Sequence, residues 1–300
     1  MSRRLLLDAS SLAYRAFFAI PTSVADERGR PVNALHGYLD MTARLIAARQ
    51  PEAAVHVYDD DWKPAPRVAV FAGYKAARPP DPEGLPEQLD LLRRLLDALG
   101  LPQADAPGWE AEDAIGAIAA AAGNSDRIDI VTGDRDLIQL VRDPVVRVLF
   151  IVKGVSELRV LDGRGVRERF GVPADRYAEF AMLRGDPSDG LPGVRGVGEK
   201  TARALIEAYP SIEAMLEDAE RERPQRRPVK GSPALRAKLR DAHDYLRAMR
   251  LVVPIRTDVP VRTWQKEPDP DLVERLGDRH RLSGPIGRLL SALRAAAARD

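Results

Sequence analysis

Hydrophobic positions in the first half of the chain come in short runs, and acids follow them. Leu5, Leu6 and Leu7 lead to Asp8; "EAAVHVY" leads to Asp59, Asp60 and Asp61; "RIDIV" leads through Thr132 and Gly133 to Asp134 and Asp136. A fourth run is "VVRVLFIV", residues 145–152. Continuous apolar runs of this length predict buried strands. Between them apolar residues recur at helical spacing over residues 34–49, 86–99 and 111–122, and Leu137, Ile138 and Leu140 predict a further helix behind Asp136. Strands alternating with helices predict an α/β fold with a mostly parallel central sheet and flanking helices. Functional sites of such sheets lie beyond the carboxyl ends of the strands, where three of the four predicted strands place aspartates.

Past about residue 172 the strand signals fade, and the chain reads as helices broken by Pro and Gly. A change of domain is expected near 173–185. "RERPQRRPVKGSP" (221–233) predicts an exposed basic loop, and "GPIGRLLSALRAAAARD" a last helix. The expected organisation is an α/β domain over residues 1–180, a helical region over 181–270 and a C-terminal helical extension over 271–300.

Composition narrows the chemistry. The chain of 300 residues has no cysteine, which removes disulfides, thiolate catalysis and cysteine zinc sites, and fits a reducing cytoplasm. With four histidines, a metal site has to be built from carboxylates, which suit hard cations such as Mg2+ or Mn2+. No apolar run approaches the roughly 18 residues of a membrane span, and "MSRRLLLDAS" is too short for a signal peptide. The net charge of +1 hides a segregated pattern: residues 221–250 hold ten Lys or Arg against three Asp or Glu.

The acids cluster. Besides Asp8, Asp59 to Asp61 and the pair Asp134 and Asp136, there are Glu110, Glu112 and Asp113 in "PGWEAEDAIGAI" at a helix start, and Asp186 and Asp189 in "RGDPSDGLPGV". Any one of them reads equally as a helix cap or as an offset to a helix dipole. If the sheet is parallel, however, four clusters converge on one face, and so much negative charge needs cations to neutralise it. Two carboxylate-bound metals are a device for phosphodiester hydrolysis.

Two further stretches carry chemistry. "GLPGVRGVGEKTARALI" (190–206) has Gly193, Gly196 and Gly198, which permit close approach of phosphate to backbone N–H groups, then a helix from Glu199 bearing Lys200 and Arg203. It lacks the spacing and preceding strand of a nucleotide P-loop. It reads alternatively as a plain helix–turn–helix linker. In "RVAVFAGYKAARPPDPEGLPEQLDLLRRLL", Arg67, Lys75 and Arg78 with Phe71 and Tyr74 between them read either as a clamp on a phosphate backbone with stacking aromatics or as a solvated helix.

Taken in order, "LLLDASSLAYRAF", "VYDDD…R…GYKAARP", "PGWEAEDAIG", "VTGDRDLIQLV" and "LRGDPSDGLPGVRGVGEKTA" resemble the 5′-nuclease family, which includes the 5′–3′ exonuclease domain of bacterial DNA polymerase I and stand-alone flap endonucleases. The resemblance runs from about residue 4 to 260, and a chain ending at 300 is expected to be the stand-alone type. It implies a PIN-like nuclease core, a helical arch over about 64–98 and a helix-three-turn-helix that grips duplex DNA. It implies two or more Mg2+ or Mn2+ held by Asp8, Glu110, Glu112, Asp113, Asp134, Asp136, Asp186 and Asp189, with the strand-two ligand open between Asp59 and Asp60. It places Arg67 and Lys75 near the scissile phosphate. Tyr14, Arg15, Tyr74 and Arg78, with Gly193, Gly196, Gly198, Lys200, Thr201 and Arg203, are expected on DNA, with a K+ at the helix-three-turn-helix. The implied substrates are 5′ flaps, nicks, gaps and 5′ ends, and RNA of RNA–DNA hybrids, cut by a bacterial, cytoplasmic, nucleoid-associated monomer.

Two departures stand out. Glu112 occupies a position where the family commonly has Asp, one methylene shorter. Gly190 stands where an Asn is usual, which is expected to loosen the loop holding Asp189. A DNA-junction binding protein with weak or no cleavage is the alternative reading; a single-strand RNase is disfavoured because it has no need of "GVRGVGEKTA".

Overall fold

The computed structural model describes residues 3–153, 155 and 157–298. The first layer comprises β1 (Arg3–Asp8), α1 (Ala9–Ala19), α2 (Asn33–Arg49), β2 (Ala53–Val57), α3 (Ala65–Val70), α4 (Leu85–Ala98), β3 (Gln103–Asp105), α5 (Ala111–Ala120), β4 (Arg127–Thr132), β5 (Val146–Lys153) and β6 (Glu157–Leu161). Helices follow: α6 (Gly163–Phe170), α7 (Tyr177–Arg184), α8 (Glu199–Ala208), α9 (Ile212–Glu220), α10 (Pro233–Asp241) and α11 (His243–Val252). The chain closes with β7 (Arg262–Trp264), α12 (Pro270–Arg279) and α13 (Ser283–Ala297).

The sheet order is β6-β5-β4-β1-β2-β3-β7. The five central strands run parallel, and β6 and β7 cap the edges antiparallel. Alternation along the strands divides two cores. Leu5 and Leu7 of β1 and Val131 of β4 pack with α1, α2, α4 and α13, while Leu6, Ile128 and Ile130 pack on the other face with α5. Strands buried on both faces read as unbroken apolar runs, which is why β1, β2, β4 and β5 were predictable.

Three strands were not. β3 and β7 are three residues each, and β7 lies where strand signals had faded. β6, "ELRVL", carries two charges and is mostly exposed, as an edge strand is. The helix expected behind Asp136 is a short 3-10 helix, Asp136–Leu140.

The helical region shares the core of the sheet's α5 face: Phe180, Leu205, Met215, Leu239 and Met249 join the cluster that contains Leu6 and Ile130. The chain then returns to the first layer twice. Arg262 to Trp264 pair with Gln103 to Asp105, and α13 lies along α2, with Ile286 and Leu289 buried and Arg288 on Asp40 at 2.8 Å. Among the described residues no helix is long and apolar enough to cross a membrane.

Close approach of α1 and α2 depends on Gly37, where a Cβ would stand 2.8 Å from the Ala16 Cβ. Gly37→Val should therefore force the helices apart and cost about 1–3 kcal/mol by overpacking; a urea midpoint unchanged from the parent would contradict this.

Candidate active site

The strand ends deliver the acids to one cleft of about 1670 Å3, lined by Asp8, Asp59, Glu110, Glu112, Asp134 and Asp186 among others. Asp8 closes β1 and caps α1, its Oδ1 accepting from the Ser11 N–H at 3.2 Å and its Oδ2 from the Thr132 hydroxyl at 2.6 Å. Burial pushes its carboxyl up to about 7; the Thr132 hydrogen bond opposes this, and the charges of Asp59 and Asp134 add to it. Asp134 follows β4, its N–H donating to Thr132 Oγ1 at 2.8 Å and its Oδ1 accepting from the Asp136 N–H at 2.9 Å. Asp136 is held well above the ordinary carboxylate range by burial, then by Asp134, Asp189 and Asp186.

The geometry at strand two favours Asp59. Its Oδ1 accepts from the Ala111 N–H at 2.8 Å, which ties it to the start of α5 beside Glu110. The Asp60 carboxylate is engaged elsewhere, with the Gly108 N–H at 2.7 Å and Arg262 at 2.8 Å.

At the α5 N-terminus the three acids expected from the sequence come together, each with different partners. Glu110, Glu112 and Asp113 each bring a carboxylate oxygen within 4.8 Å of the others, the spacing of a metal-binding group. Asp113, however, is fully buried and its oxygens are already bonded. They accept from Arg67 Nη1 and Nη2 at 2.8 and 2.7 Å, from the Arg256 N–H at 2.9 Å and from the Glu110 N–H at 3.4 Å. Its position, third in the helix, turns the carboxylate back over the helix end as a capping box. Asp113 is thus a brace for Glu110. Glu112 lines the cleft and is pushed well above its ordinary range by burial and then by Glu110.

Arg67 is 1% exposed, pairs with Glu110, Glu112 and Asp113, and donates Nε to the Val252 carbonyl at 3.0 Å, so it stands behind the carboxylates rather than on the cleft lining. Tyr74 is buried too, its hydroxyl donating to Glu110 at 2.7 Å, and presents no ring face to a base. Lys75 does line the cleft; its ammonium pairs with Glu110 and stands 4.0 Å from Asp189. Arg78 donates to Asp189 Oδ1 at 3.1 Å.

The Asp189 loop is tight. Gly190 has φ +72°, and a Cβ there would fall 2.4 Å from the Gly73 carbonyl oxygen, while the Lys75 N–H donates to the Asp189 carbonyl at 2.9 Å. The expected loosening is therefore replaced by close docking of the two loops, which only glycine permits. Asp186 caps the short turn Pro187–Asp189 through the Ser188 N–H at 2.9 Å. Asp189 is raised by burial, against the pull of Lys75 and Arg78.

Tyr14, also on the cleft lining, is exposed and meets Phe18 in a tilted ring contact, centroids 5.0 Å apart. Arg15 donates to the Gly133 carbonyl at 2.9 Å, and a Cβ on Gly133 would sit 1.8 Å from Arg15 Nε, so the glycine makes room for the guanidinium beside Asp134. Gly193, Gly196, Gly198, Lys200, Thr201 and Arg203 are placed away from the cleft lining, on the turn and first helical turns between α7 and α8. Gly193 and Gly196 have φ +68° and +71°; the Gly193 N–H donates to the Tyr245 hydroxyl at 2.9 Å, and Arg203 pairs with Glu199. Arg44, Arg93 and Trp62 also line the cleft and were missed, because lone residues outside an acidic or glycine-rich motif give no signal in the sequence.

The chain matches two family models in succession: the 5′-3′ exonuclease N-terminal resolvase-like domain over residues 3–171 and the 5′-3′ exonuclease C-terminal SAM fold over 172–270. It is 40% identical to a 5′-3′ exonuclease of Mycobacterium tuberculosis, with 96% of each chain covered. It is 38% identical to the thermostable DNA polymerase I of Thermus filiformis over 86% of this chain and 29% of that protein. In fold it is similar to the bacteriophage T5 flap endonuclease in a pseudo-enzyme–product complex with DNA and metal ions, at 17% identity and TM-score 0.64, covering 98% of this chain and 99% of that one.

Removing Arg67 leaves buried carboxylates unpaired, so Arg67→Met should cost about 3–5 kcal/mol, and Arg67→Lys should recover only part of that because an ammonium lacks the guanidinium fork; chemical denaturation of both variants checks it. Asp8, with its raised folded pKa, gives stability that is full below the ordinary carboxylate pKa and lost as pH rises through about 7. In EDTA the parent should be less stable at pH 8 than at pH 5, with the difference reduced in Asp8→Asn; equal pH dependence in both proteins would refute that assignment.

Proposed function

The chain belongs to the 5′-3′ exonuclease family, and from that premise we propose that it cuts 5′ flaps, nicked or gapped duplexes and 5′ ends of DNA, and RNA in RNA–DNA hybrids, during replication and repair. It is a structure-specific 5′ nuclease, a phosphodiester hydrolase that binds DNA and uses divalent metal ions. The observation that carries the finer reading is the convergence of acids from the ends of β1, β2 and β4, the start of α5 and the Asp186–Asp189 turn on one cleft, with Asp8, Glu112 and Asp136 all raised.

The donor set fits hard cations. It offers only carboxylate oxygens, and beyond burial its members raise one another's proton affinity. Asp8, Asp59, Glu110, Glu112, Asp134, Asp136, Asp186 and Asp189 would hold Mg2+ or Mn2+, with Asp113 and Arg67 fixing Glu110 from behind. When bound, such ions supply an activated water and neutralise charge on phosphate oxygens. Lys75, protonated through its ion pair with Glu110, would serve that task; Arg78 shares Asp189 with it, and Arg15 lines the same cleft beside Gly133. The turn around Gly193, Gly196 and Gly198, with K+ among its ligands, and the basic residues of 221–250 would hold the duplex and give binding a steep salt dependence. The proposal further has the protein act as a monomer in the bacterial cytoplasm, at the nucleoid.

A 5′-labelled flap duplex incubated with Mg2+, Mn2+ or EDTA tests the reading. Cutting at the flap junction should require metal and fall by several orders of magnitude in Asp134→Ala; tight flap binding with no cutting in either metal would instead give a junction-binding protein.

A further inference from the structure

Three tryptophans are present in the chain, and the structure treats one of them differently. Trp264 donates its indole N–H to Asp97 at 3.1 Å. Trp109 has two guanidinium groups over its ring, those of Arg67 and Arg256, at 5.9 and 5.8 Å from its centroid. Trp62 is 43% exposed, lines the cleft, and has neither a ring contact nor a hydrogen bond for its indole N–H among the described residues.

Its backbone is held firmly. Just before it, the Asp60 and Asp61 N–H groups both donate to the Trp109 carbonyl at 3.1 Å, and the Asp60 carboxylate is fixed by Gly108 and Arg262. Just after it, the Lys63 N–H donates to Asp61 Oδ1 at 2.9 Å and Pro64 starts α3. An aromatic side chain with 43% of its surface in water, on a backbone fixed before and after it, is what a stacking platform requires, because a base laid on it covers exposed apolar surface without ordering the chain. The occupant follows from the other groups of the same cleft: beside the acids read above as cation ligands, Arg44, Arg78 and Arg93 line it with Trp62, a combination that suits a strand carrying phosphates on one side and bases on the other.

We propose that Trp62 is a binding site for an unpaired nucleobase of the 5′ strand, distinct from the Tyr14 and Phe18 pair that lines the same cleft. The inference rests on the reading of the cleft as the place where a DNA 5′ strand is held. It makes Trp62 a determinant of preference for flapped over merely nicked DNA, without a part in bond cleavage.

The test is binding in EDTA, where no cutting occurs, with fluorescently labelled duplexes that carry either a nick or a short 5′ flap at the same position. Trp62→Ala should weaken the flapped duplex about tenfold and leave the nicked duplex unchanged, while Trp62→Phe keeps most of the flap affinity. Equal loss on both duplexes, or no loss on either, overturns the proposal. Independently of any variant, a flap with 5-iodouracil at its first unpaired position should photocrosslink to Trp62 in the parent protein; crosslinking to Tyr14 or Phe18 instead also overturns it. If the parent itself shows no affinity for the flapped duplex, the reading of the cleft fails, and the stacking site with it; a parent that binds flaps while Trp62→Ala binds them equally well refutes the stacking site alone.

Discussion

Carboxylates gathered at the ends of parallel strands repel one another, and the arrangement persists only because cations hold some of them from behind. Arg67 is the central one. Its guanidinium is closed off from water, spans Glu110 and Asp113, and reaches the Val252 carbonyl at the end of α11. A charge buried so completely is tolerable only when each of its donors has a partner. The partners available here are three acids of the nuclease layer, Glu110, Glu112 and Asp113, and one carbonyl of the helical region. The same ion pair therefore fixes Glu110 and joins two parts of the chain far apart in sequence. Arg256 completes the junction with its backbone N–H on Asp113, and Gly116 lets that segment come close, since a Cβ there would meet Ile255 at 2.5 Å.

Lys75 and Arg78 compensate charge differently, from the cleft lining, Lys75 buried at its wall and Arg78 exposed. They ride on a loop that is stitched to the Asp189 turn by one backbone hydrogen bond and by the bare α-carbon of Gly190. Charges that brace the site are thus locked in the core, while charges that would meet a phosphate sit on a loop whose position depends on a glycine.

Sequence reading was strong where one residue type has one consequence. A run buried on both faces has to be continuously apolar, so β1, β2, β4 and β5 were visible, and with them the acids at their ends. It was weak where the outcome depends on a distant partner. Asp59 and Asp60 are chemically identical neighbours, and what separates them is Arg262 on β7, a strand too short to leave a pattern. Arg67 and Lys75 look alike as cations in one basic segment; their fates differ because the first meets Asp113 in the core and the second stops at the cleft wall. Trp62 belongs to no motif, and only its exposure inside the cleft marks it.

The same logic changes the meaning of Glu112. In "EAED" the sequence offers three acids at a helix start and gives no reason to prefer any of them. Helical geometry does: the third position turns its carboxylate back over the N-terminus, and Asp113 does so, with Arg67 and Arg256 fixing it there. The second position projects outward, so Glu112 is the acid of that turn left to face the cleft beside Glu110. Glu112 is not free of that network, since its Oε1 pairs with Arg67 Nη2 at 3.3 Å. The added methylene therefore falls on an acid held by one ion pair, not on the one whose two oxygens cap the helix and take both arms of the guanidinium.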